Sequence, residues 1–132
     1  MEQPSYKIET DTAAGLIRAT LSGFWDGTIV SSYARDLEKA ITSLDRFPRG
    51  SNALLFFVDL RESGVQPADL MGQLQEVVAK IASEARRSAV ITSTTLQKLQ
   101  SQRVVEPDAR FRFFGPDDEQ IALAWLLSGE IV

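Results

Sequence analysis

Asp59 and Glu62 lie three residues apart just beyond an apolar run, and carboxylates so placed can exchange protons in general acid–base catalysis. The plainer reading is a helix cap or a solvated loop, and little else in the chain favours an enzyme. There is no histidine and no cysteine. That removes the Ser-His-Asp and Cys-His constellations, thiolate nucleophiles, and metals held by imidazole or sulfur. Neither a GxGxxG loop nor a GxxxxGK loop ending in Ser or Thr occurs, so the common phosphate cradles are missing as well. The sequence therefore predicts no catalytic residue, no metal and no cofactor.

The same residue types suit recognition. Asp59, at the end of an apolar run, can accept hydrogen bonds from loop N–H groups or meet a partner. Arg61 reads as an exposed loop residue or as a contact for an anion or carboxylate. Glu62 belongs to the same loop. Ser63 before Gly64 suits a turn, and it is the one hydroxyl of that loop within plausible reach of a kinase. Ser93, Thr94 and Thr95 precede a helix, where hydroxyls cap, although such a helix start can also hold an anion. Trp25, beside Asp26 in a glycine-bounded loop, either covers the end of the core or anchors a protein partner.

These residues need elements to position them. Tyr6–Thr10 and Ile17–Leu21 alternate apolar and polar positions around an Asp11–Gly15 turn, which predicts a hairpin. After the Gly23–Gly27 loop, a helix over Thr28–Leu44 places Val30, Tyr33, Leu37, Ile41 and Leu44 on one face. Ala53–Val58 is continuously apolar, the pattern of a strand covered on both sides. Past an Asp59–Gln66 loop, Pro67 opens a second helix reaching about Ala85 and burying Leu70, Leu74, Val77, Val78 and Ile81. Arg86-Arg87 would complement its C-terminal dipole. A buried strand follows at Ser88–Thr92, then a short helix over Thr94–Arg103 with Leu96 and Leu99 as its apolar stripe. Arg110–Phe114 reads as an edge strand. A last helix starts at Asp117, with Gln120 at capping-box spacing, carries Ile121 and Trp125, and ends at Gly129.

This order predicts a single α/β domain over residues 1–132, with a mostly parallel mixed sheet of about five strands and four helices. Three loops, Gly23–Gly27, Asp59–Gln66 and Ser93–Thr95, then meet at the carboxyl rim of the sheet, where open α/β sheets bind their ligands. The chain has 132 residues, 44% hydrophobic and 24% charged, with a net charge of −4. An acidic balance with no basic stripe argues against nucleic acid. The polar start, Met1–Ser5, is unlike a signal peptide, and no apolar stretch approaches the ~20 residues of a membrane span. A cysteine-free protein fits a reducing cytoplasm.

The element order, the Gly23-Phe24-Trp25-Asp26 turn into a helix, and a strand closing on Val58-Asp59-Leu60 together resemble the STAS superfamily, in particular its SpoIIAA-like branch, over about Tyr6 to Leu127. The resemblance implies a STAS-like fold and a non-catalytic regulatory or scaffolding role through a protein partner. In anti-anti-sigma factors of that superfamily, an Asp and then a phosphorylatable serine start the helix after the Asp-Leu strand end. Here Pro67 and Ala68 occupy those positions, so the usual serine is missing. Asp69 is either a fixed negative charge in its vicinity or an ordinary first-turn acid. The related Sec14 lipid-binding domains imply an alternative, a small apolar or lipid-like ligand between helices and sheet, lined by residues such as Leu37, Phe56 and Val77.

Overall fold

In the computed structural model, which describes residues 5–64, 66–104 and 110–129, one five-stranded sheet carries four helices in alternating order. The polar start of the chain lies almost wholly outside the described residues. Strand β1 (Ser5–Asp11) pairs antiparallel with β2 (Leu16–Gly23), as the alternation predicts. β3 (Leu54–Ser63), β4 (Ala85–Ile91) and β5 (Phe111–Phe114) then add in parallel, giving the sheet order β1-β2-β3-β4-β5.

The helices divide unequally between the two faces. α1 (Gly27–Ser43) and α2 (Met71–Glu84) pack on one side, closing a core that includes Ile17, Leu21, Val30, Leu37, Phe56 and Ile81. Among the described residues α4 (Glu119–Ser128) is the helix that covers the other side, where Trp125 and Leu126 meet Leu55, Phe57 and Phe114. Trp125 is core packing, as its place in the sequence suggests. Strand alternation produces both faces: residues 54, 56 and 58 of β3 point to α1 and α2, and residues 55 and 57 to α4.

Several boundaries move for identifiable reasons. The strand expected to stop at Val58 continues to Ser63, so Asp59, Arg61, Glu62 and Ser63 are strand residues rather than loop residues. A β-bulge lies inside that extension: Thr20 pairs with Asp59 but Ser22 with Glu62, which puts one extra residue in β3. Arg86-Arg87 falls within β4 instead of ending α2. The last carbonyls of α2 are served by Asn52 and Arg110, while Arg87 Nε donates to the Leu126 carbonyl at the far end of α4, 2.8 Å away. Arg87 therefore complements the dipole of a helix distant in sequence. α4 begins at Glu119, and the Asp117–Gln120 capping box does not form. Asp118 is the N-cap residue, and its carboxylate accepts from Gly115 N–H instead. Gly129 ends α4 in the left-handed conformation, as expected.

The stripe on α3 (Thr95–Val104) is inverted. Leu96 and Leu99, expected to pack inward, are 67% and 48% exposed, while Gln97 is 4% exposed. Partly buried backbone groups at the rim form hydrogen bonds with the Gln97 amide that leucine cannot make, and that demand turns the helix over.

Candidate interaction site at the carboxyl rim

The carboxyl rim brings together the predicted loops, together with the start of α4. Its first layer is ionic. Arg61 grips Asp59 through two donors, Nε to Oδ1 at 3.0 Å and Nη2 to Oδ2 at 2.7 Å, and Nη2 also reaches Glu119 Oε1 at 2.6 Å. Arg18 completes the group from β2, donating to the same Glu119 oxygen at 3.0 Å while its guanidinium lies over the Phe57 ring. Asp59 is 6% exposed. Burial alone would raise its pKa, but hydrogen bonds from the Arg61 side chain and backbone, with the charges of Arg61 and Arg18, outweigh it and hold the carboxyl below its usual range. Glu119 is lowered chiefly by its hydrogen bond from Arg61, and Arg61 is raised by the same two carboxylates. The bulge explains why Asp59 is needed: Arg61 N–H donates to its Oδ1 at 3.0 Å, so the carboxylate serves a backbone group inside the irregularity.

The second layer is uncharged. Gln97 Nε2 donates to the carbonyls of Leu60 and Ser63, and its Oε1 accepts from Ser93 N–H at 2.7 Å. Gln66 Oε1 accepts from Trp25 N–H at 2.7 Å, and its Nε2 donates to Gly23 O, Gly64 O and Ser63 Oγ. Gln100 and Gln66 exchange a reciprocal pair, 2.7 Å from Gln66 N–H and 2.6 Å to Gln66 O. Three glutamines thus bond the β2–α1, β3–α2 and β4–α3 connections together.

Each expected recognition residue now has a place. Trp25 is 3% exposed, packs edge-on against Tyr33 at 5.3 Å and donates Nε1–H to Ser22 O, so it closes the end of the core and is not an exposed anchor. Its exposed neighbour is Phe24, whose ring lies close over Gly64. Asp26 caps α1, accepting from Ile29 N–H at 2.9 Å. Thr94 caps α3, accepting from Gln97 N–H at 3.1 Å. Asp59 and Arg61 are spent on each other, whereas Glu62 is exposed at the end of β3 and Asp69 is exposed in the single 3-10 turn, Ala68–Leu70, before α2. Ser63 is half-buried, its hydroxyl held by Gln66.

Reading the sequence by residue type missed Arg18, Glu119 and the glutamines, and put Leu96 and Leu99 on the wrong face. One signal was present: Thr94 and Gln97 have the spacing of a capping box, which fixes that glutamine at the helix start facing the chain that enters it.

Two concavities adjoin these layers. A groove of about 230 Å³ runs between the start of α2 and α3, lined by Ala68, Met71, Leu96, Leu99 and Arg103 among others. Beneath α3, between α2 and the sheet, lies a mainly apolar cavity of about 120 Å³ bordered by Trp25, Tyr33, Val77 and Phe113. Val77 lines it as expected, but Leu37 and Phe56 do not: both are closely packed in the core. Among the described residues no cluster of three or more acidic side chains is placed to hold a metal ion, and no helix is long and apolar enough to cross a membrane.

An uncharacterized protein of the DUF3478 family from Shewanella loihica PV-4, described as having a SpoIIAA-like fold, superimposes with a TM-score of 0.68 over 96% of this chain and 97% of that one, at 20% identity. The fold is SpoIIAA-like. No protein-family profile matches the sequence, and no curated protein matches it. The likeness accounts for the five-stranded mixed sheet and its four helices, as the resemblance read from the sequence implies.

Proposed function

We propose that this SpoIIAA-like chain is a non-catalytic cytoplasmic interaction module that binds a protein partner at its carboxyl rim, in the groove between α3 and the start of α2. The observation that carries the reading is the inverted α3, which turns Leu96 and Leu99 to solvent beside Ala68 and Met71 while its glutamines serve the interior. Exposed apolar side chains collected along a groove mark interaction surfaces, and an amphipathic helix laid into such a groove is a recurring mode of recognition. Arg103 supplies a charge within the groove itself, and Glu62 and Asp69 are exposed acids near the rim that can orient a partner. Asp59 and Arg61 support this surface from behind by fixing the rim, and Trp25, Asp26 and Thr94 fix its loops.

The test is a pull-down from lysate of the source organism with wild type and the Leu96→Glu/Leu99→Glu variant. Both positions are solvent-facing, so the variant should melt within a few degrees of wild type. A protein retained specifically by wild type should bind the purified variant at least tenfold more weakly by calorimetry. Equal affinity for the folded variant would remove the groove from the interface.

A further inference from the structure

The cavity beneath α3 carries an inference that rests on no part of the rim reading. Tyr33 borders this cavity and is 3% exposed. Burial is what raises its phenol above the ordinary tyrosine range. Its hydroxyl has no hydrogen-bond partner among the described residues, whereas the adjacent Tyr6 hydroxyl bonds both Ser32 and Asp36. Buried tyrosine hydroxyls ordinarily find a partner. The hydroxyl of Ser88, also unpartnered, is fully enclosed. That of Tyr33 is not sealed in this way, so it can be reached by a polar atom from outside the chain, and Tyr33 belongs to the cavity lining.

The rest of the lining limits what that atom can belong to. Among the described residues no Lys, Arg, Asp or Glu borders the cavity, so a charged ligand there would find no counter-ion among them, at a considerable cost. Gln66, Gln97 and Gln100 are spent on the chain's own backbone. Trp25, Tyr33, Phe111 and Phe113 give the walls an aromatic character. At about 120 Å³ the space is close to the ~150 Å³ of an apolar cavity that accepts benzene, and well short of the ~300 Å³ at which pockets for larger ligands begin. We propose that this cavity binds a neutral molecule of about one aromatic ring, whose single hydrogen-bonding group pairs with the Tyr33 hydroxyl.

The two tryptophans make a built-in control: Trp25 borders the cavity, and Trp125 lies in the other core across the sheet. The ¹⁵N-labelled full chain is titrated with phenol, benzene and benzoate while both indole N–H resonances are followed. Phenol and benzene should shift the Trp25 resonance saturably and leave Trp125 in place. Phenol should bind about three- to tenfold more tightly than benzene, the value of one net hydrogen bond, and benzoate should not bind. In Tyr33→Phe that preference should fall to within about twofold, with benzene binding kept. Val78→Phe, placed on the α2 wall, should abolish binding of both while the spectrum stays dispersed. The proposal is overturned if neither neutral probe gives a saturable Trp25 shift, if benzoate binds as well as phenol, or if folded Tyr33→Phe keeps the phenol preference. If Tyr33→Phe fails to fold, the benzoate comparison and Val78→Phe decide it in the same two directions.

Discussion

At the carboxyl rim the two faces of the sheet are finished in different chemistries. On the α4 face, Arg18, Asp59, Arg61 and Glu119 form a charged cluster. On the face of α1 and α2, the amides of Gln66, Gln97 and Gln100 do the same joining work without any formal charge. The α4-side cluster opens to solvent: the side chains of Arg18 and Glu119 are about a third exposed, at 31% and 35%. The amide layer roofs an apolar cavity, where ions would have to be buried. The difference teaches that backbone irregularity at a sheet rim can be satisfied by ions where water remains close, and needs neutral donors where it does not.

The two layers should break differently. The largest effect is expected from Gln97→Leu, which puts an apolar side chain at a buried position and takes away the partner of the half-buried Leu60 and Ser63 carbonyls and of the Ser93 N–H. It should cost about 2–4 kcal/mol, seen as a lower urea midpoint with an unchanged slope. Wild-type stability in this variant would mean that the amide layer is dispensable.

Arg61→Ala should rank second, at about 2 kcal/mol. It strands buried Asp59, but partial exposure discounts the loss relative to a fully buried pair. The Asp59→Asn/Arg61→Leu double variant should recover part of that loss, because the introduced side-chain amide keeps an acceptor for the backbone N–H of residue 61 and no charge is left unpaired. A double variant worse than the single one would show that the ion pair itself is required.

The pH dependence sharpens the contrast. Asp59 and Glu119 have pKa values lowered by folding, so their stabilisation is present above the unfolded carboxylate value near 4 and is lost as pH falls through the depressed folded values. Thermal melting of wild type should therefore decline steeply below about pH 4, and the decline should be shallower in Arg61→Ala. Gln97→Leu should leave the slope unchanged, since amides do not titrate. The smallest effect belongs to Ser88→Ala, which removes the enclosed, unpartnered hydroxyl of β4. It should be neutral or stabilising by up to about 1 kcal/mol in the same denaturation assay.

Much of the fold was legible from short-range pattern. The alternation in the hairpin, the stripe from Val30 to Ile41, the apolar β3 run and the glycine after α4 each express a period or a cap that the local backbone dictates. The candidate site was legible only as a location. Asp59, Arg61, Glu62 and Ser63 were read as a loop because polar residues following an apolar run suggest its end, yet the strand continues through a bulge that no local signal marks. Trp25 left two readings open because exposure is a tertiary property, and packing against Tyr6 and Tyr33 decides it.

By itself the sequence determined the order of elements, the parallel character of the sheet, and the exclusion of histidine and thiol chemistry, since each follows from residue type or from neighbours within a few positions. Only the tertiary structure decided which polar groups are spent internally and which apolar ones face water. Glu119 meets Arg61 across 58 residues and Gln97 meets Leu60 across 37. The inverted face of α3 is fixed by those distant carbonyls, because a buried backbone group must find its partner wherever the chain has folded to supply one.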